Sequence, residues 1–225
     1  RAEESDCTAS DCPPAQRNVA PALAAALGMQ AHEQQGDENV VWANAILSRY
    51  PILRYERKAL NPRTSESGEG RAALHVVAKL PGGAGEIDVF ITHLTGADPK
   101  VRAAQAADFI TFISATRGTG PLLVMGDFGE TPGGQVAQAL GATGLTDAAA
   151  TFPGIVPITT CCRASIIGEQ PPLAERTDYV LVSGLSVKSV GMFALVPRKR
   201  ADNSLAYASD HNGIEVVFKL PVPTP

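Results

Sequence analysis

The sequence has no apolar run of about 18 residues, the length at which a helix can cross a bilayer, so stable membrane insertion through a helix is not expected. It has no basic excess either. Lys and Arg number 19 against 23 Asp and Glu, for a net charge of -4. Nucleic-acid binding leans on cations that neutralise phosphates, so long duplex DNA is disfavoured as a partner. The one basic run, Arg198-Lys199-Arg200, reads as a solvated loop. Internal repeats and low-complexity linkers are absent, and nothing marks an obligate protein partner. At 225 residues the chain can form one domain over its whole length, 1–225.

Cysteine is sparse. The four residues fall as Cys7/Cys12 and Cys161/Cys162. None of them has a Cys-x-x-Cys or Cys/His spacing of a zinc site. An even count allows three disulfide connectivities. Cys7 and Cys12 flank a short polar loop that closes easily, which predicts a disulfide there. The adjacent pair would need a strained vicinal bond or partners elsewhere. Paired cysteines point to an exported protein, secreted or periplasmic. The alternative is a cytoplasmic chain with four reduced thiols. No secretory leader is visible, which carries no weight for a chain that begins with Arg1.

What is present is ordinary globular composition, 44% hydrophobic and 19% charged, patterned mainly as strands. Helices are expected at Ala15–Leu27, at Lys100–Arg117 with a mixed apolar face carrying Val101, Ala104, Ala107, Asp108, Ile110 and Phe112, and over Gln135–Leu140 and Gly141–Asp147. Strands are expected over Val40–Ser48, Leu53–Leu60, Arg71–Leu80, Glu86–Leu94, Leu122–Met125, Thr177–Val182, Ser186–Leu195 and Ile214–Leu220. Gln30–Asn39 reads as a loop or ragged strand. Pro81 to Gly85 is a hairpin signal. Ala148–Gln170 is a long aperiodic stretch, a length associated with function.

Acids and histidines gather at the strand ends. Leu122–Met125 stops at Gly126, and Asp127 follows. Glu86–Leu94 carries His93 near its end. Asp178 opens the strand after Thr177. Ser209-Asp210-His211 leads into the last strand. One such residue is often a turn cap. Four such places suggest one convergent site for a hard cation and for proton transfer. His32 and His75 lie outside these motifs and read as ordinary surface or strand histidines.

Thr92-His93-Leu94, Gly126-Asp127-Phe128, Thr177-Asp178-Tyr179 and Ser209-Asp210-His211, in that order, resemble the endonuclease/exonuclease/phosphatase superfamily, the pancreatic-deoxyribonuclease-like fold. Asn44 to Ile52 resembles a further family stretch. The resemblance implies an α/β (α+β) fold of two packed mixed β-sheets with outer helices, a four-layer sandwich. It also implies that the family's N-terminal strand and helix are missing. A metal-dependent hydrolase of phosphodiesters or phosphomonoesters is the function implied.

In that reading Mg²⁺, with Mn²⁺ or Ca²⁺ as alternatives, is held by Glu4 and Asp210. Asp127 orients or deprotonates water. His211 acts in proton transfer or contacts the phosphate, and Asp178 holds its ring. His93 is a second phosphate-side histidine. Asn44 is either a phosphate-contacting amide or a satisfied core hydrogen bond. The substrate is a phosphoester: nucleic acid, phospholipid headgroup or small phosphodiester.

Gly129 departs from the family, which has Asn there. The loss of that amide leaves an enzyme that is either slow or fills the role with another group, for example Asn44 or Glu130; the alternative is a catalytically impaired module that binds a phospho-ligand or protein. Removing one preorganised donor costs about 10²–10³-fold. Gly129→Asn is therefore expected to raise kcat by roughly 10-fold, provided Gly129 does not need a positive φ.

Overall fold

The computed structural model describes residues 19–35, 43–63, 70–151 and 158–220. Its centre is a six-stranded sheet in the order β3-β4-β5-β6-β8-β7. These strands are β3 (Ile52–Ala59), β4 (Ala72–Lys79), β5 (Glu86–His93), β6 (Leu122–Asp127), β7 (Thr146–Asp147) and β8 (Asp178–Ser183). All neighbours are antiparallel except β5 and β6, which run parallel. A parallel pair needs a crossover. Helix α2 (Pro99–Thr116) supplies it.

Alternation along the strands gives the sheet two faces. Ala73, Phe90, Leu122, Val124, Tyr179 and Leu181 pack beneath α2 and the short helix α3 (Gln135–Gly141), with Phe109, Phe112 and Ile113 of α2. Leu74, Val76, Ile87, Val89 and Val182 face the other way. There two hairpins cover them. One is β1 (Gln30–Gln35) with β2 (Ala43–Ser48), and β2 lies on β4 and β5. The other is β9 (Ser186–Phe193) with β12 (Gly213–Lys219), and β12 lies on β8. Helix α1 (Val19–Leu27) packs outside the first hairpin. The result is the four-layered α+β arrangement the resemblance implies.

Two expectations are corrected and one stated alternative is decided. Thr146–Asp147, read as helix, is the edge strand β7, because its backbone extends the sheet beside β8. Gln30–Gln35 is a full strand, its polar composition carried by pairing with β2. The buried face of α2 is Arg102, Gln105, Ala106, Phe109, Phe112 and Ile113, whereas Ala104 and Ala107 are exposed. Its two polar residues, Arg102 and Gln105, bridge layers. Gln105 Nε2 donates to Pro62 O at 3.0 Å, and its Oε1 accepts from Thr95 N at 3.0 Å. Arg102 Nη1 donates to the carbonyls of Thr95 and Gly96. The loop after His93 is therefore fixed by α2. The run Arg198-Lys199-Arg200 is exposed, as expected, though its first two residues form β10, paired with β11 (Leu205–Ala206).

His75, read as a surface or strand histidine, lies on strand β4. It is fully buried, stacked on Phe90 at 3.9 Å, with Nε2 2.7 Å from Asp88 Oδ1.

Candidate active site

Register places the first three residues. His93 at the end of β5 stands opposite Asp127 at the end of β6. Asp127 stands opposite Asp178, the first residue of β8. One row across three strands thus carries His, Asp and Asp at one end of the sheet. Gly126 is what lets β6 approach so closely. Its φ is +147°, and a Cβ there would run into the Thr92 carbonyl.

The fourth stretch comes from the other layer. Ser209-Asp210-His211 precedes β12 and reaches over β8. His211 Nδ1 lies 2.7 Å from Asp178 Oδ2. That contact orients the ring, with Nδ1–H donating to the carboxylate and Nε2 turned toward the other acids. Nε2 sits 3.8 Å from Asp127 Oδ2 and 4.0 Å from Asp210 Oδ2. His93 Nε2 is 3.6 Å from the same Asp127 oxygen. Asp127 Oδ2 therefore lies between two imidazoles, while its Oδ1 accepts from Gly129 N at 2.8 Å.

Of the sequence-predicted residues, His93, Asp127, Asp178, Asp210 and His211 come together. Glu4 lies outside the described residues, as do Cys7 and Cys12. Asn44 Nδ2 donates to Ala72 O at 2.9 Å. Thr92 Oγ1 bonds the same carbonyl, so the Asn44 amide braces the strand end that carries His93. Glu130 is no substitute for the missing amide: its Oε1 accepts from Val136 N and Ala137 N and caps α3. Tyr179 donates from its hydroxyl to Glu130 O at 3.1 Å, and burial pushes its phenol well above the usual range. The condition on Gly129 is not met. Its φ is +66°, and a Cβ would stand 2.9 Å from Thr95 O and 3.1 Å from Gly96 Cα.

Sequence reading missed the frame behind the histidine. Thr160 Oγ1 accepts from Thr177 N and Asp178 N. Arg163 N donates to Asp210 O at 2.8 Å, and its guanidinium bonds Ser209 O and Asn212 Oδ1. Asn212 N donates to Thr160 O. Residues 160–163 thus tie the Asp178 strand to the Ser209–Asn212 loop. The only sequence signal was the length of the aperiodic stretch that contains them. Cys162 Sγ lies 3.3 Å from His211 Nε2.

The donor set fits a divalent cation. Oxygens of Asp127 and Asp178 and a nitrogen of His211 lie within 4.8 Å of one another, and Asp210 Oδ2 stands 4.0 Å from His211 Nε2, so carboxylates of the kind that suit Mg²⁺ or Mn²⁺ gather at this end of the sheet, with Asp210 placed to hold the ion beside the proton-handling group.

The endonuclease/exonuclease/phosphatase family model matches residues 11–211. With the strand-end His/Asp set and the layered fold, this shows that the chain belongs to that family. No curated sequence matches the chain significantly. Among solved structures, it resembles a functionally unknown conserved protein from Enterococcus faecalis, at 20% identity and TM-score 0.75, covering 91% of this chain and 82% of that one. A mannosyl-6-phosphatase from Bacteroides thetaiotaomicron matches at 20% identity and TM-score 0.69 over 85% of this chain and 78% of that chain. The human Nocturnin catalytic domain matches at 19% identity and TM-score 0.60 over 87% and 75%. Identities this low establish the shared fold.

Proposed function

We propose that the chain is a divalent-metal-dependent hydrolase of phosphoester bonds, with Asp127, His211 and Asp178 as its proton-handling group. The observation that carries this reading is the 2.7 Å Asp178–His211 bond with Asp127 Oδ2 in reach of both His211 and His93. Four separate stretches of chain converge to make it.

A phosphoester is anionic and resists attack, so charge must be neutralised, water activated and the leaving oxygen protonated. The metal, when bound, offsets phosphate charge and makes a coordinated water more acidic. Asp210, with Glu4 as the other expected carboxylate, would hold it. Asp127 Oδ2 accepts a proton from the attacking water. His211, held through Nδ1 by Asp178, presents Nε2 to the phosphate or the proton in transit. His93 lies on the opposite side of Asp127, placed to contact the phosphate.

A panel of phosphodiesters and phosphomonoesters tests the reading, bis-p-nitrophenyl phosphate and sugar phosphates among them. Hydrolysis should require Mg²⁺ or Mn²⁺ and stop in EDTA. Turnover that persists unchanged in EDTA removes the metal from the mechanism. Failure to cleave any ester would leave a phospho-ligand-binding module.

A further inference from the structure

The two most exposed large apolar side chains among the described residues fall in one short stretch: Val196 is 66% exposed and Phe193 59%, with Leu195 between them at 47%. Phe193 ends β9, and residues 194–197 lead from it to β10. Arg198, Lys199 and Arg200 follow directly, all exposed. Single exposed apolar residues are ordinary, whereas a contiguous group of them marks a surface that meets a partner or a membrane. We propose that this edge docks on an anionic lipid surface, with Phe193, Leu195 and Val196 entering the headgroup region and Arg198, Lys199 and Arg200 meeting lipid phosphates, so that the phosphoester offered to the candidate site is a phospholipid headgroup.

The edge is fastened to the candidate site. The Phe193 ring covers Gly213, its partner across the hairpin and two residues beyond His211. The buried Arg163 guanidinium bonds Ser209 O and Asn212 Oδ1, reaches Ala194 O at 3.5 Å and lies 4.0 Å over the Tyr207 ring. The apolar stretch and the loop that carries Asp210 and His211 thus share one anchor, and a lipid met by the first is brought beside the second.

Apolar and cationic side chains side by side select the occupant. Apolar groups leave water for the interfacial zone of a bilayer, and each nearby Lys or Arg adds attraction to anionic lipids. Single-stranded nucleic acid would meet the same cations, but it is held by stacking on aromatic rings, and Leu195 and Val196 offer none. In this loop Asp202 opposes three cations, which leaves it net positive on a chain of net charge -4. An anionic surface therefore repels the molecule as a whole and attracts this edge. The substrate assignment rests on the hydrolase reading. The docking does not.

The test uses the full chain and vesicles of phosphatidylcholine, alone or mixed with phosphatidylglycerol, read by co-sedimentation. The chain should bind the mixed vesicles and not the neutral ones, and high salt should weaken the binding. Arg198→Gln/Lys199→Gln/Arg200→Gln should bind about 10²-fold more weakly, the combined effect of three cations at an anionic surface. Leu195→Ser/Val196→Ser should lose about 10-fold or more. Lys79→Gln/Lys100→Gln, which removes exposed cations elsewhere, should bind as the parent does. Circular dichroism and thermal melts check that each variant is folded. No binding of the folded parent to mixed vesicles overturns the docking. So does equal binding by the parent and both edge variants, or an equal loss in Lys79→Gln/Lys100→Gln. Binding to a fluorescent single-stranded oligonucleotide without binding to vesicles makes nucleic acid the occupant and overturns the lipid surface. With Mg²⁺, the parent should cleave the phosphoester of the mixed vesicles. Docking together with cleavage of soluble esters but not of lipid overturns the substrate assignment. Docking as expected in a chain that cleaves no ester upholds the surface and rejects the hydrolase reading. Cleavage of soluble esters without docking does the reverse.

Discussion

Gly129 donates its N–H to Asp127 Oδ1 and, at φ +66°, lies against Thr95 and Gly96, just beyond His93. A side chain here meets backbone on a loop that Arg102 already fixes. The left-handed region costs a non-glycine residue about 1–2 kcal/mol, with crowding added. Gly129→Ala should therefore lower Tm by roughly 2–4 °C per kcal/mol lost. Gly129→Asn should lower kcat rather than raise it, since Asp127 and His93 are displaced together. Thermal melts and steady-state kinetics on both variants check this, and a gain in kcat for Gly129→Asn would contradict it. The amide missing from the sequence is thus not a simple deletion. The chain is built around a backbone donor at this point.

Elements were legible where pattern decides them. β4, β5, β6 and β8 announce themselves as apolar or alternating runs, and their ends name His93, Asp127 and Asp178. Polar β1 and the two-residue β7 did not, because each is a strand through its pairing with a neighbour rather than through its own residues. The frame at residues 160–163 was invisible for a related reason: it bonds residues from 14 positions away (Cys161 to Glu175) to 52 (Thr160 to Asn212), and no local spacing encodes that. His75 on β4 belongs here as well. Burial pushes its pKa below the ordinary 6.5, although Asp88 pulls the other way. The folded state thus binds this proton less readily than the unfolded chain. Stability attributable to His75 is complete above about pH 6.5 and falls as pH drops below that value toward the depressed folded pKa. Urea midpoints measured from neutral pH downward should fall more steeply for the parent than for His75→Gln, which keeps a donor for Asp88. Parallel curves would remove His75 from the pH response.

At the scale of the whole molecule, the β9–β12 hairpin packs on the six-stranded sheet at β8, and the site forms because the loop leading into β12 crosses to the row of residues at the ends of β5, β6 and β8. No described helix is long and apolar enough to cross a membrane. The adjacent Cys161 and Cys162 close no loop and so contribute no cross-link between segments. Export is therefore a proposal that rests on Cys7 and Cys12. A disulfide between them should appear as a loss of two hydrogens in the mass of the unreduced protein, and four free thiols would count against both the bond and export. The central claim is that the converged His/Asp set turns over phosphoesters. It is tested most directly by kcat/KM for the parent, His211→Ala and Asp178→Asn on the best substrate of the panel, at saturating Mg²⁺. His211→Ala should lose about 10²–10⁴-fold, the range of a positioned acid or base, with Asp178→Asn losing a substantial part of that through a misoriented ring. Rates unchanged in both folded variants would contradict the account.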